Sequence, residues 1–482
     1  MKKLISYGSL FVIAALFINA CDLLEVEPAQ SVSPEVVTEN FESLEQLSQG
    51  VYAHMYRWGA YGNVMGLVPD LLADNGRLRP GASRHQSRTN NTASTAGHLS
   101  PMWQPYYEAI NDINLVIKYL PEINLAEITE DESDRDRILG EMYFMRALLY
   151  HDLTKTFGYE PGMAPVDFDV SVILRTEPVE DVPGADFRGR APVSDVYTQI
   201  ESDLENARTL LAEHGRTGGS ASFFGNYAAA LGLSARVALF QAEGGANTAQ
   251  LERARDFAQQ AMDAAADVGA GLTSGGAVAD MFAGNPNPEA LFEISIQNQD
   301  ESLGVNDALS PYLLPAQWHA NVPAEDFIAL FESNDARLPL YPFDEGNGYY
   351  YTIKYNQWND VWTDNTPVIR YAEMMLIHAE AEAELNNEGD ALNTLNELRV
   401  SRAASELDVS GSALIDAIMT ERRLELAFEG HRWFDLKRRG MDVPKPAPTG
   451  QATLSYNDFR LLAPIADSQV ELNEELVQSP GY

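Results

Sequence analysis

A chain of 482 residues is long enough for a large hydrophobic core and two or three domains, and a hydrophobic fraction of 45 % excludes wholesale disorder. Its 71 acidic residues face 33 basic ones, and the net charge of −38 excludes nucleic acid as a favoured partner, because such binding rests on cation–phosphate contacts. The same sign disfavours adsorption to anionic headgroups and aids solubility in high salt, where self-repulsion is screened.

The chain opens with "MKKLISYGSLFVIAALFINAC". Lys2 and Lys3 form a positive start, and Leu4 to Ile18 form an apolar stretch short for a spanning helix. Cys21 follows Asn19 and Ala20 and is the only cysteine, so no internal disulfide can form. Residues 1–20 read as a lipoprotein signal peptide, cleaved after Ala20, with Cys21 as the acylated residue. Several acyl chains anchor more firmly than one. The acidic, Pro-containing run after Cys21 makes residues 21–40 a lipidated tether.

Helical periodicity then dominates residues 41–270. "NFESLEQLSQGVYAHMYR" is a first helix, and "PMWQPYYEAINDINLVIKYLPE" spaces Ile110, Ile113 and Ile117 by three and four. "RDRILGEMYFMRALLYHDLTKTFG" stops near Gly158, and the next helix shares Val196, Ile200, Leu204, Ala207 and Leu211 on one face. "NYAAALGLSARVALFQAEGG" and "AQLERARDFAQQAMDAA" form an alanine-rich pair. Paired helices of this kind resemble tetratricopeptide hairpins, without a clean repeat of about 34 residues.

Residues 271–365 change character. "EALFEISIQNQD" alternates like a strand among Gly/Pro/Asn-rich, aromatic loops, where binding residues concentrate. Helices resume over 366–440 with a small-residue stripe of Ile369, Ala372, Leu376, Ala379 and Ala383, and 441–482 form a C-terminal tail.

Within "ERRLELAFEGHRWFDLKRRG", a basic–aromatic island in an acidic chain, Leu424, Ala427 and Phe428 share a face and Gly430 ends the helix. Asp435 is spaced to pair with exposed Arg439, and Glu429 to reach Arg432. The island reads as structural. It closely resembles a C-terminal signature of the SusD/RagB family. "CDLLEVEP", "GEMYFMRALLYHDLTKTFG", "RYAEMMLIHAEAEAEL" and "RLLAPIADSQVELNEELVQSPGY" resemble four further family stretches in the same order. Ala466 and Ser479 depart from the usual proline and asparagine.

The resemblance implies a mainly α, SusD-like fold: a tetratricopeptide-like hairpin scaffold with a large irregular, loop-rich ligand-binding portion and minor β. It splits into an N-terminal region (41–270) and a C-terminal SusD/RagB region (271–482). It further implies a non-catalytic, surface-facing outer-membrane lipoprotein. That protein binds a glycan or oligosaccharide and delivers it to a SusC-like TonB-dependent transporter. No cofactor is implied; calcium occurs in some relatives, but nothing in the sequence specifies a site.

Sugars offer flat C–H faces to aromatic rings and hydroxyls to polar side chains. Two regions carry such residues. The first holds Trp58, Tyr61, Asn75, Arg77 and Arg79, in a long polar stretch of the kind that is often functional. The second holds Trp318, Tyr350, Trp358 and Trp362. Trp103 reads as buried and His378 as a scaffold residue. The net charge weighs against sulfated or uronic glycans, unless local basic clusters such as Arg77, Arg79, Arg84 and Arg88 offset it. Two rivals remain. One is a helical-repeat scaffold for proteins, against which the irregular insertion and lipidated start argue. The other is a glycoside hydrolase, for which no single carboxylate pair stands out and no HExxH, G-x-S-x-G or phosphate-loop pattern is present.

Overall fold

The computed structural model describes residues 40–82, 98–127, 129–165, 167–180, 186–283, 285–296, 302–356 and 362–482. The stretch read as a signal peptide, Cys21 and the residues up to 39 read as a tether lie outside these, as do Arg84, Arg88 and Trp358.

Helix α1 (Phe41–Tyr56) starts at Asn40, whose side chain accepts from the Ser43 N–H. The short α2 (Val64–Leu72) is buried on every side and tolerates Pro69 inside it. Four longer helices follow the strand β1 (Gly76–Leu78): α3 (Trp103–Tyr119), α4 (Glu132–Phe157), α5 (Val193–His214) and α6 (Tyr227–Phe240). An Asp131/Asp134 capping box fixes the start of α4, and Gly158 closes it. Helix α7 (Thr248–Ala264) completes the first half. The second half holds strands β2 (Ala290–Ile294), β3 (Asn321–Pro323), β4 (Phe343–Asp344), β5 (Tyr349–Tyr350) and β6 (Thr366–Arg370). Then come α8 (Tyr371–Glu384), α9 (Glu388–Ser401), α10 (Ser412–Glu425), α11 (Arg432–Arg438) and, in the tail, α12 (Asp467–Leu472).

The helices pack in pairs, α1 with α3, α4 with α5, α6 with α7 and α8 with α9. Each pair also touches the next in chain order, as the hairpin pattern in the sequence implies. Alanines at 229, 230, 235, 254, 258 and 261 are fully buried and let the α6–α7 backbones approach. None of the helices among the described residues is long and apolar enough to cross a membrane. The β content is three two-stranded antiparallel ladders, β1–β3, β2–β6 and β4–β5. Every residue of β2 is buried, Glu293 included, so the alternation in its sequence does not mark one solvated face.

The basic island faces inward. Arg438 forms a two-pronged pair with Glu380, and Asp435 bridges Arg438 and Arg422. Lys437 is sealed in, donating to Glu160 and to the Lys155 and Gly158 carbonyls. Two expected pairings are corrected. Asp435 is buried against Arg422 and Arg438 rather than exposed beside Arg439, and Arg432 pairs with Asp74 rather than Glu429. Glu429 is taken by Arg370 and Lys354. Buried charges require dedicated counter-charges, and here these arrive from segments far away in the chain.

Candidate ligand-binding face

Helix α1 presents Phe41, Leu44, Val51 and Met55 to the core. Glu45, Gln49, Tyr52, Ala53 and Tyr56 recur at spacings of three and four along another face and line two open pockets. The pocket at the C-terminal end of α1 has a volume of about 350 Å³ and is closed by Arg57, Ser295 and Leu303.

From there a network of contacts gathers the predicted aromatic residues. The Tyr56 hydroxyl and the Ser302 hydroxyl both donate to the Trp362 carbonyl, each at 3.3 Å. Asn63 donates to the Asp307 carbonyl at 2.9 Å, fastening the 302–307 segment to the turn after α1. That turn includes Gly62, where an added Cβ would sit 2.0 Å from the Tyr56 carbonyl oxygen and 2.6 Å from Leu303. Glycine is what permits the approach. The Trp318 indole N–H donates to the Val305 carbonyl at 2.9 Å, while the ring keeps 37 % of its surface exposed. Beyond it, Arg79 donates from its side chain to the His319 carbonyl and from its backbone to Ala320. The β4–β5 hairpin adds Tyr350, half-buried and edge-on to Phe343 at 5.0 Å.

The two regions picked out in the sequence therefore meet, where Arg79 of the first joins His319 and Ala320 beside Trp318 of the second. Trp58 is half-buried against the main core beside this junction. Trp362 carries a further mark. Its φ of +45° is a left-handed conformation that suits glycine and strains a tryptophan, and its buried indole nitrogen has no hydrogen-bond partner among the described residues. Strain of about 1–3 kcal/mol persists where surrounding structure enforces it, often at ligand sites.

Three expected ligand contacts point the other way. Tyr61 is buried, donating to Asp152 at 2.8 Å. Asn75 is wholly buried, donating to Asp70 and accepting from Arg423. The Arg77 guanidinium is buried against Glu325, donating from Nε at 3.1 Å. Their polar atoms are already used inside the fold, Tyr61 on Asp152, Asn75 on Asp70 and Arg423, and Arg77 on Glu325, so none is presented to a solute. Gln49, Tyr52 and Tyr56 were missed; their spacing of three and four along α1, flanking its apolar stripe, is the signal that marks them.

A separate cleft of about 630 Å³ lies at α3, where Tyr107, Glu108, Asp112, Phe187 and Leu472 line it. It contains none of the predicted residues. Trp103 forms part of its floor but is 5 % exposed, with its ring packed on Phe157 and Tyr107, so it offers no free face. Among the described residues no group of three His, Cys, Asp or Glu is arranged to hold a metal ion.

A family model described as "SusD family" matches residues 342–482, and one described as "Starch-binding associating with outer membrane" matches residues 22–239. The chain is 25 % identical to a SusD-like protein of Formosa agariphila, with all of both chains covered. A SusD superfamily protein of Bacteroides thetaiotaomicron superposes with a TM-score of 0.77 at 23 % identity, over 93 % of this chain and 100 % of its own. A SusD-like carbohydrate binding protein of Bacteroides vulgatus gives a TM-score of 0.74 at 23 % identity, over 90 % and 97 %.

Proposed function

Since the chain belongs to the SusD/RagB family, we propose that it is a non-catalytic carbohydrate-binding lipoprotein of the outer membrane. It is moored through Cys21, faces the cell surface, and passes a captured glycan to a SusC-like TonB-dependent transporter. Its ligand lies across the face where α1, the 302–307 segment, Trp318 and Trp362 meet. The observation that carries this reading is the convergence itself. Tyr52 and Tyr56 line an open pocket together with Leu303, and hydrogen bonds through backbone carbonyls tie Tyr56 to Trp362 and Trp318 to the segment that carries Leu303.

Binding of this kind follows from side-chain chemistry. The exposed Trp318 ring and the Tyr350 ring supply flat apolar surface for the C–H face of a sugar, while the Gln49 amide and the Arg57 guanidinium supply donors for hydroxyls. Ring faces fixed in advance lose little freedom when a ligand arrives. Lipid at Cys21 keeps the body at the membrane, and the acidic tether sets its reach. No cofactor is invoked.

The test applies the purified mature protein to a glycan array and incubates it with the same polysaccharides. Binding of at least one glycan with no new reducing ends is expected. Release of fragments, or an empty array, contradicts the proposal. Recovery from solubilised outer membranes with a large β-barrel protein is the expected partner result, and recovery with soluble proteins alone contradicts the delivery step.

A further inference from the structure

The α1 groove does not end at the aromatic cluster. The pocket beside Tyr56 shares Gln49, Tyr52 and Ser295 with a second pocket of about 440 Å³ toward the N-terminal end of the helix. Together they run from Glu45 to Arg57, and twelve residues of helix span roughly 18 Å. Phe224 stands edge-on to Tyr52 at 5.4 Å and lies under the Arg216 guanidinium at 4.1 Å, so a ring wall continues along the groove.

The charge of this lining is the reverse of the chain's. Acidic residues outnumber basic ones by 71 to 33 overall. Arg57, Arg137 and Arg216 line the two pockets with a single acidic side chain, Glu45, although Glu108 pairs with Arg57 from outside the lining. The larger cleft at α3 follows the chain's general trend, with Glu108 and Asp112 against Arg175. Behind the groove the buried Glu141 is shared by two guanidiniums, accepting from Arg137 at 3.2 Å and from Arg216 Nε at 2.8 Å. One carboxylate serves two cations. Burial pushes the Glu141 carboxyl up in pKa despite Arg216 and Arg137, so it is a reluctant counter-ion. Arg137 spends its remaining amine on Glu45. The two terminal nitrogens of Arg216 have no acceptor among the described residues, and stacking on Phe224 holds the fork at the groove wall.

We infer that this groove takes an extended oligosaccharide carrying anionic groups, a uronate carboxylate or a sulfate ester, with the free fork of Arg216 as the group that recognises the anion. The inference rests on the glycan-binding reading and specifies its ligand class. A planar guanidinium fork matches both kinds of oxyanion. The aromatic cluster at the other end of the groove supplies stacking that is indifferent to charge. The repulsion of the acidic chain as a whole acts at long range, whereas the fork acts at contact distance. The same ligand therefore needs both ends of the groove.

The experiment is titration calorimetry of the intact mature protein with four probes: oligogalacturonate, its methyl ester, a sulfated carrageenan oligosaccharide, and its desulfated form. The inference expects at least one acidic probe to bind about tenfold or more tighter than its neutralised counterpart. Arg216→Gln abolishes that preference, so that the acidic probe binds no tighter than its neutral counterpart. Arg57→Gln, at a half-exposed position where folding is not at risk, reduces the preference in part. The two probe pairs distinguish carboxylate from sulfate. Equal or tighter binding of the neutral probes overturns the inference and leaves the glycan-binding reading standing. Binding of none of the four overturns it too, and an empty glycan array alongside removes the glycan-binding reading as well.

Discussion

Replacing Glu425 by glutamine strikes the centre of the buried charge network. Its carboxylate accepts from Arg402 at 2.8 and 3.0 Å, from Arg370 at 3.1 Å and from Arg337 at 3.0 Å, and all four side chains are essentially inaccessible. Burial alone would push this carboxyl up; Arg402, Arg370 and Arg337 hold it far below the usual carboxylate range. The amide preserves shape and one acceptor but leaves three guanidiniums short of a negative charge. Glu289, Glu421, Glu429 and Asp335 remain as partners. Breaking a buried pair from one side costs about 3–5 kcal/mol. The control is Glu180→Gln, which removes a solvent-exposed pair with Lys118 worth less than about 1 kcal/mol. Urea unfolding at pH 7 reads both. A large drop in midpoint for Glu425→Gln beside a negligible one for Glu180→Gln is expected. Equal effects would refute the claim that these charges hold the C-terminal signature in place.

Three further outcomes are expected. Burial raises the Glu293 carboxyl from 4.5 to about 7, opposed by its hydrogen bonds from Asn287 and Asn365. Between those two values the folded state binds more protons than the unfolded state, so stability falls as pH rises through that window, by about 3 kcal/mol. Glu293→Gln removes this fall, and melting curves at pH 5 and pH 8 that drop in parallel with the parent's contradict it. Gly430→Ala places a Cβ 2.0 Å from the Met65 carbonyl oxygen at a φ of +84°, and loses at least about 2 kcal/mol in chemical unfolding. Trp362→Gly relieves a left-handed tryptophan, so its melting temperature holds or rises while glycan affinity falls about tenfold; a lower melting temperature with full affinity makes the ring structural.

Much of the helical scaffold was legible because its apolar spacing is regular. The first helix, read over residues 40–57, is Phe41–Tyr56, and the helix expected to stop near Gly158 stops at Phe157. Helix α2 escaped notice because it is buried all round, so "VMGLVPDLL" has no polar face to set a period, and its proline argues against a helix. That the basic island is structural was legible, since Leu424, Ala427 and Phe428 share a face; the inward turn of its charges was not, and they read as exposed local pairs. Its partners were not legible either, because Asp74 lies 358 positions from Arg432 and no local spacing encodes that contact. The same limit explains the ligand residues. Asn75 and Arg77 look solvated in a polar loop sequence, yet Arg423 and Glu325 draw them inside. Trp318 and Trp362 look unrelated until the 302–307 segment joins them through two backbone carbonyls.

The central claim is that the ring-lined α1 face grips a glycan and leaves it intact. Calorimetric titration of a glycan identified by array binding, compared across the parent, Trp318→Ala and Phe187→Ala, tests it most directly, with chromatography of the recovered ligand. Affinity lost about tenfold in Trp318→Ala, kept in Phe187→Ala at the other cleft, and a ligand returned at its original length is the predicted result. Loss confined to Phe187→Ala, or a ligand returned in fragments, contradicts it.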